Sequence, residues 1–434
     1  MLNNRWAALA VLVFTRIWMG FQFQSIPPIA PLMVEELGLN HTQIGLLIGL
    51  YMVPGIFLAL PGAFLSARIG DKQVVMIGLA LMGLGGLVLV WGDNFWLACL
   101  GRVLSGTGAV TLNVQMMKMV TDWFAGKELA TAMGILLITW PVGIALALAT
   151  LGQVASLFSW QVASLLTVEI SALALLAMLA FYRNPPNAAG AESGGSPYAI
   201  GRREFVLSSS AGWVWMIYNV GFIIVISFTP AFLMELGRSI GEAGLVSSLI
   251  MWVMVAAIPL GGLLADRLGG TRLLIIVGCL GTALGVGYLT QSAAPVWLVV
   301  AIGMMMGLPA GPIMTLPGEV LAPERRGVGL GIYFTWYYIG MAVFPPVAGA
   351  IQDATGGAGT SLLFAAALMA FTILMLGLFQ AVKAGGLSLP GMKLPRLSRS
   401  KPKAAAPPPM PSAAPPRETA VFTTVRNIPP MPDA

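Results

Sequence analysis

Gly261-Gly262-Leu263-Leu264-Ala265-Asp266-Arg267-Leu268-Gly269-Gly270-Thr271-Arg272 is the stretch that decides the fold. It lies between two apolar runs, Gly244 to Leu264 and Leu273 to Leu289. Both runs have the length and character of membrane helices, so the stretch reads as a tight charged turn between two spans. Gly269 and Gly270 let the chain reverse. A worn copy stands 199 residues earlier, with Gly261 matched by Gly62: Gly62-Ala63-Phe64-Leu65-Ser66-Ala67-Arg68-Ile69-Gly70-Asp71-Lys72-Gln73. There the Asp has become Ala67, while Arg68 and Gly70 are kept. The same offset relates Pro31, Glu36-Leu37-Gly38 and Gly45-Leu46 to Pro230, Glu235-Leu236-Gly237 and Gly244-Leu245. The chain therefore consists of two related halves, a parallel repeat found in some secondary transporters.

The spacing Gly262, Asp266-Arg267, Gly269, Arg272 resembles the loop signature between helices 2 and 3, and 8 and 9, of the major facilitator superfamily. The resemblance implies an all-α membrane protein with twelve transmembrane helices in two pseudo-symmetric six-helix bundles. It also implies that Arg68, Gly70, Gly262, Asp266, Arg267, Gly269 and Arg272 serve the conformational change.

Composition agrees. Of 434 residues, 57% are hydrophobic and 9% charged, against roughly 25% charged in soluble domains. The net charge of +6 does not point to nucleic acid, because the basic residues sit in short loops and in the segment from Lys383. Cys99 and Cys279 both fall in apolar segments and read as core thiols, not as a disulfide or metal site. Hydropathy places spans at 6–33, 43–66, 74–91, 95–118, 129–151, 162–181, 206–233, 243–264, 273–290, 296–316, 329–350 and 361–382. The first run is too long for a cleavable leader and contains Arg16. The expected organisation is an N-terminal bundle over 1–183, a polar linker over 184–205, a C-terminal bundle over 206–383 and a disordered Pro/Ala-rich tail over 384–434. With both termini cytoplasmic, the inside loops hold Arg68, Lys72, Lys127, Arg183, Arg202, Arg203, Arg267, Arg272, Arg325 and Arg326, and the outside loops only Arg238. That asymmetry sets the orientation.

Charges inside spans are the candidate functional groups. Arg16 lies mid-span in the first helix and needs a cavity or a partner. It is expected to bind an anionic solute, with Gln24 nearby. Its counterpart in the second half is Trp215, followed by Asn219. In the fourth helix Arg102, Gly106, Ala109 and Asn113 share one face, which resembles the family's helix-4 motif. Tyr333, Trp336 and Tyr337 of the eleventh helix are expected to line the cavity or to pack. Glu169 is the one carboxylate well inside a span. It is read either as an ion-pair partner for Arg102 or as a proton carrier. Lys118 is assigned no role, and Glu319 is placed beside Arg325 and Arg326.

The expectation is a secondary transporter of a small, anionic solute, with no cofactor, no metal and no nucleic-acid partner, acting as a monomer in the plasma membrane. The first helix, Met19 to Ser25 with Arg16, looks most like that of the cyanate and nitroimidazole permeases. A drug-type exporter or a non-transporting sensor or scaffold on the same fold are the alternatives. One histidine in an outside loop and no catalytic constellation speak against an enzyme.

Overall fold

The structure is a computed structural model and describes residues 4–58, 69–92, 94–124, 127–184, 201–321 and 326–385. Arg68, Arg325, most of the linker and the tail from residue 386 lie outside the described residues, which contain helices and turns and no strand. Twelve segments are long and apolar enough to cross a membrane. They are α1 (Arg5–Phe23), α2 (His41–Leu58), α3 (Asp71–Trp91), α4 (Phe95–Phe124), α5 (Thr131–Leu157), α6 (Trp160–Phe181), α7 (Arg202–Glu235), α8 (Ile240–Arg267), α9 (Thr271–Leu289), α10 (Val296–Glu319), α11 (Val328–Thr355) and α12 (Ala358–Lys383). Leu84, Leu173, Leu176, Leu284 and Leu374 are exposed on outer faces, as lipid contact requires.

Three spans are broken where the sequence carries proline. The span expected over 6–33 ends its first helix at Phe23, before Pro27 and Pro28, and a separate helix follows over Ala30–Leu37. α2 is interrupted by a turn at Tyr51 and Met52, just before Pro54. α10 is broken after Gly307, at Leu308-Pro309, and ends in a 3-10 turn. A ring nitrogen without a hydrogen cannot continue the helical ladder, so each break needs partners from neighbouring helices. The turn that decides the fold is built as expected at its centre. Gly269 adopts a left-handed conformation with φ 60° and stops the preceding helix, and Gly70, with φ 89°, opens α3.

The two halves meet at one end. Gly45 and Gly49 of α2 lie against the Pro345 and Ala342 carbonyls of α11, and Gly349 of α11 against the His41 carbonyl; a Cβ at any of them would overlap that backbone. α5 and α8 cross in the same way, with Gly244 on the Leu148 carbonyl. Asp353 caps the start of α2: its carboxylate accepts from the His41 and Thr42 amides at 2.9 and 2.8 Å, and from the Thr42 hydroxyl and the His41 ring. Between α1 and α7, the Gln24 amide donates to the Ile226 carbonyl and the Ser227 hydroxyl. At the opposite end, the ion pairs Arg5–Glu128, Lys118–Asp71 and Lys383–Glu319 each stay within one half. A cleft of about 450 Å³ opens there beside Met314, Thr315, Glu319 and Leu330. Among the described residues, the two halves close on each other at the end carrying Gly38 and Gly237.

Leu in place of Gly45 or Gly349 should keep that closed end from forming. With Cys99 and Cys279 replaced by serine, a reporter Ser227→Cys is buried in the closed form. We expect its maleimide labelling in purified protein to rise several-fold on adding Gly349→Leu. Equal labelling with and without that change would show that the main-chain crossings do not make the seal.

Candidate functional site

Arg102 and Arg16 are the two charged side chains in the interior, and no Asp or Glu is buried with them among the described residues. Their surroundings differ. Arg102, 1% exposed, donates from Nε to the Leu47 carbonyl, from Nη1 to the Gln22 carbonyl and the Ser25 hydroxyl, and from Nη2 to the Phe23 carbonyl, at 2.9 to 3.3 Å. Gln22 and Phe23 are the last residues of α1, and the Gln22 carbonyl also accepts from the Ser25 amide at 3.2 Å in the turn that ends the helix. The guanidinium therefore caps a helix end inside the membrane, where the helix dipole is negative. Its flat face lies 4.5 Å from the Tyr51 ring centroid. Glu169 is exposed on α6 and makes no contact with it. This corrects the reading of Arg102 as the partner of Glu169, and four of its five N–H donors are engaged within the protein.

Arg16, 5% exposed, has fewer partners. Its Nε donates to Asn113 Oδ1 of α4 at 3.1 Å and its Nη1 to the Leu136 carbonyl of α5. Tyr337 and Tyr338 of α11 lie within electrostatic reach, and Tyr338 is within hydrogen-bonding reach of Asn113. Residues from both halves thus converge on this cation. Gly20, one turn on, lets α1 pack against the Trp140 carbonyl and Gly143 of α5. Across the space, Trp215 of α7 stacks on Tyr218 and Tyr333, with centroids at 5.7 and 6.0 Å, and tilts against Tyr337 at 6.2 Å. Its indole Nε1 is buried and finds no acceptor among the described residues. Asn113, Trp215 and Tyr337 keep partial exposure at mid-span, so they line a chamber between the halves.

Other expected site residues stand elsewhere. Gln24 belongs to the α1–α7 seal. Trp336 packs on Trp213 and Gly212, away from Arg16. Asn219 donates to the Trp215 carbonyl one turn back, and Tyr333 is fully buried with its hydroxyl near the Ile313 carbonyl. In the second signature loop Gly262 has open space around it, Asp266 and Arg267 are exposed, and Arg272 donates to Gln380. In the first, Asp71 accepts from Gln115 and Lys118 of α4, and Lys118 also pairs with Asp122. Lys118 therefore braces α4 against α3, which its sequence position does not reveal. Glu319 pairs with Lys383. Trp215 and Tyr338 were the residues sequence reasoning undervalued. The repeat itself was the available signal, since it sets Trp215 opposite Arg16.

The family model described as Major Facilitator Superfamily matches residues 12–237 and 214–429. The hexuronate transporter of Bacillus subtilis is 25% identical over 372 residues, covering 80% of this chain and 87% of that protein. The lysosomal dipeptide transporter MFSD1 of Danio rerio is 24% identical, with 85% of each chain covered. The probable sulfoacetate transporter SauU of Cupriavidus necator is 21% identical, over 78% of this chain and 85% of that one. Among solved structures, the nucleoside transporter NupG superposes with a TM-score of 0.68 at 14% identity, covering 87% of this chain and all of NupG.

Arg102→Ala should remove four hydrogen bonds, three of them to main-chain carbonyls. With hydrogen bonds to charged groups each contributing about 1.5–3 kcal/mol, we expect a loss of at least about 3 kcal/mol, read as a lowered unfolding temperature in detergent. Arg102→Lys should recover only part, because a single ammonium cannot reach carbonyls on two spans at once. An unchanged melting temperature in Arg102→Ala would overturn the capping role.

Proposed function

We propose that this chain, which belongs to the Major Facilitator Superfamily, carries a small organic anion across the membrane by alternating access between its two bundles. The observation that carries the reading is Arg16: a cation between the halves, with two hydrogen bonds and no carboxylate among the described residues within ion-pair distance. A charge at mid-span costs at least a few kcal/mol unless compensated. An anion entering the chamber supplies the counter-charge and leaves when the bundles reopen. Arg suits this role because its planar fork meets a carboxylate or sulfonate with two parallel hydrogen bonds. Relatives named as hexuronate and sulfoacetate transporters support an anionic cargo. The likeness of the first helix to cyanate and nitroimidazole permeases has no counterpart among the relatives named above, and the reading rests on the chamber instead.

With the loop signatures cytoplasmic and both termini inside the plasma membrane, the sealed end is the outer one, and the chain works as a monomer. Asp266 and Arg267 are then the groups that close the inner mouth in the other state. An anion entering a cell at an inside-negative potential works against about 2.3 kcal/mol per 100 mV. Net uptake needs a co-transported cation or exchange for an internal anion. Among the described residues no carboxylate is buried to carry a proton, and Glu169 stands exposed on α6. Exchange or export follows as the mode of transport.

Arg16→Ala should leave the protein folded and abolish stabilisation by glucuronate or sulfoacetate, and Arg16→Lys should restore little of it. Wild-type thermal stabilisation in Arg16→Ala would remove the site. In proteoliposomes with acid outside and no internal anion, we expect little accumulation of either anion. Robust accumulation lost in Glu169→Gln would make Glu169 the proton carrier and overturn the exchange mode.

A further inference from the structure

On the anion reading above, we infer that the chamber selects anions that carry a second acceptor oxygen and no ammonium group. Two of its side chains hold unused donors. Of the five N–H donors of Arg16, two are engaged. The Trp215 indole can only donate, and its Nε1 is buried without an acceptor. A buried donor left unmade is costly, so the bound state is the one in which an acceptor reaches it. Trp215 is held for this: Tyr218 and Tyr333 stack against it, the Tyr218 hydroxyl is anchored on the Met306 carbonyl at 2.6 Å, and Asn219 ties the Trp215 carbonyl. A solute with its anionic group on Arg16 and an ester, amide, ether or hydroxyl oxygen at its far end spans the two points. Its body lies along the rings of Trp215 and Tyr337.

The described lining of the chamber holds no carboxylate to pair with an ammonium. No Asp or Glu is buried among the described residues. The one mid-span carboxylate, Glu169, is exposed on an outer face. An ammonium on the solute would face Arg16 as a like charge. At a separation of about 6 Å and an effective dielectric constant of about 20, that repulsion is worth on the order of a hundredfold in affinity. The Leu136 carbonyl oxygen and the Asn113 Oδ1 already accept from Arg16. Zwitterions such as dipeptides and amino acids are therefore excluded, and sugar acids and N-acylated amino acids are the class admitted. The relatives named for hexuronate and for dipeptide part on this chemistry, and this chain falls on the hexuronate side.

The test uses the full chain purified in detergent and four probes: acetate, glucuronate, N-acetylalanine and alanylalanine. The last two differ in whether the terminal nitrogen is an amide or an ammonium. Thermal stabilisation should follow glucuronate and N-acetylalanine, with alanylalanine at least tenfold weaker. Trp215→Phe keeps a ring and removes the N–H. It should weaken glucuronate about fivefold to tenfold and leave acetate unchanged. Alanylalanine binding as well as N-acetylalanine, both lost in Arg16→Ala, would overturn the exclusion while the anion reading stands. Acetate and glucuronate weakened equally by Trp215→Phe would overturn the second contact. No stabilisation of the wild type by any of these anions, or none that depends on Arg16, would bring down the anion reading and this inference with it.

Discussion

A helix that stops inside a membrane must hand its last carbonyls to something other than water. α1 stops at Phe23, and Arg102 of α4 takes the carbonyls of Gln22 and Phe23 together with that of Leu47 from α2. One side chain thus ties three spans of the N-terminal bundle at the point where the chain bends. The arrangement answers two needs at once. The helix end gains donors, and the guanidinium gains the negative end of a dipole in place of a carboxylate. Because α1 is fixed there, Gln24 reaches α7 and the seal between the halves takes shape around it.

The same residue type serves a second purpose seven residues earlier in α1. Arg16 and Arg102 are equally deep in apolar surroundings, and both lack a buried acid. The difference is in the number of acceptors. Arg102 has four, distributed over all three of its nitrogens. Arg16 has two, and its other neighbours are aromatic rings and hydroxyls from the opposite half. Burial alone does not distinguish a structural cation from a binding cation; saturation does.

Much of the fold is legible in the sequence. The charged turn at Gly262 to Arg272, its copy and the constant offset between them give two halves and twelve spans before any coordinate is known. Arg16 stands out because a charge in an apolar run has few explanations. The roles of Arg102, Gln24 and Lys118 were not legible, for a common reason. Their partners are main-chain carbonyls or residues tens to hundreds of positions away, and helical periodicity assigns a face without saying which neighbour it meets. In α10 the break falls at Leu308-Pro309, in a stretch crowded with Gly and Pro. Pro27 and Pro28 carried the same signal in α1, where it was read as a continuous span. Glu169 misled because depth along a helix is visible in the sequence and direction around it is much less so.

The crossings of α2 over α11 and of α5 over α8 are made by main chain against main chain, at Gly45, Gly49, Gly349 and Gly244. Where a Cβ does not fit, a water molecule does not fit either. Protons cross membranes along unbroken files of water, and such a file cannot thread these contacts. A carrier that holds a fixed positive charge at its centre would otherwise invite hydration from both sides. Glycine at the crossings leaves no room for such a file at those contacts.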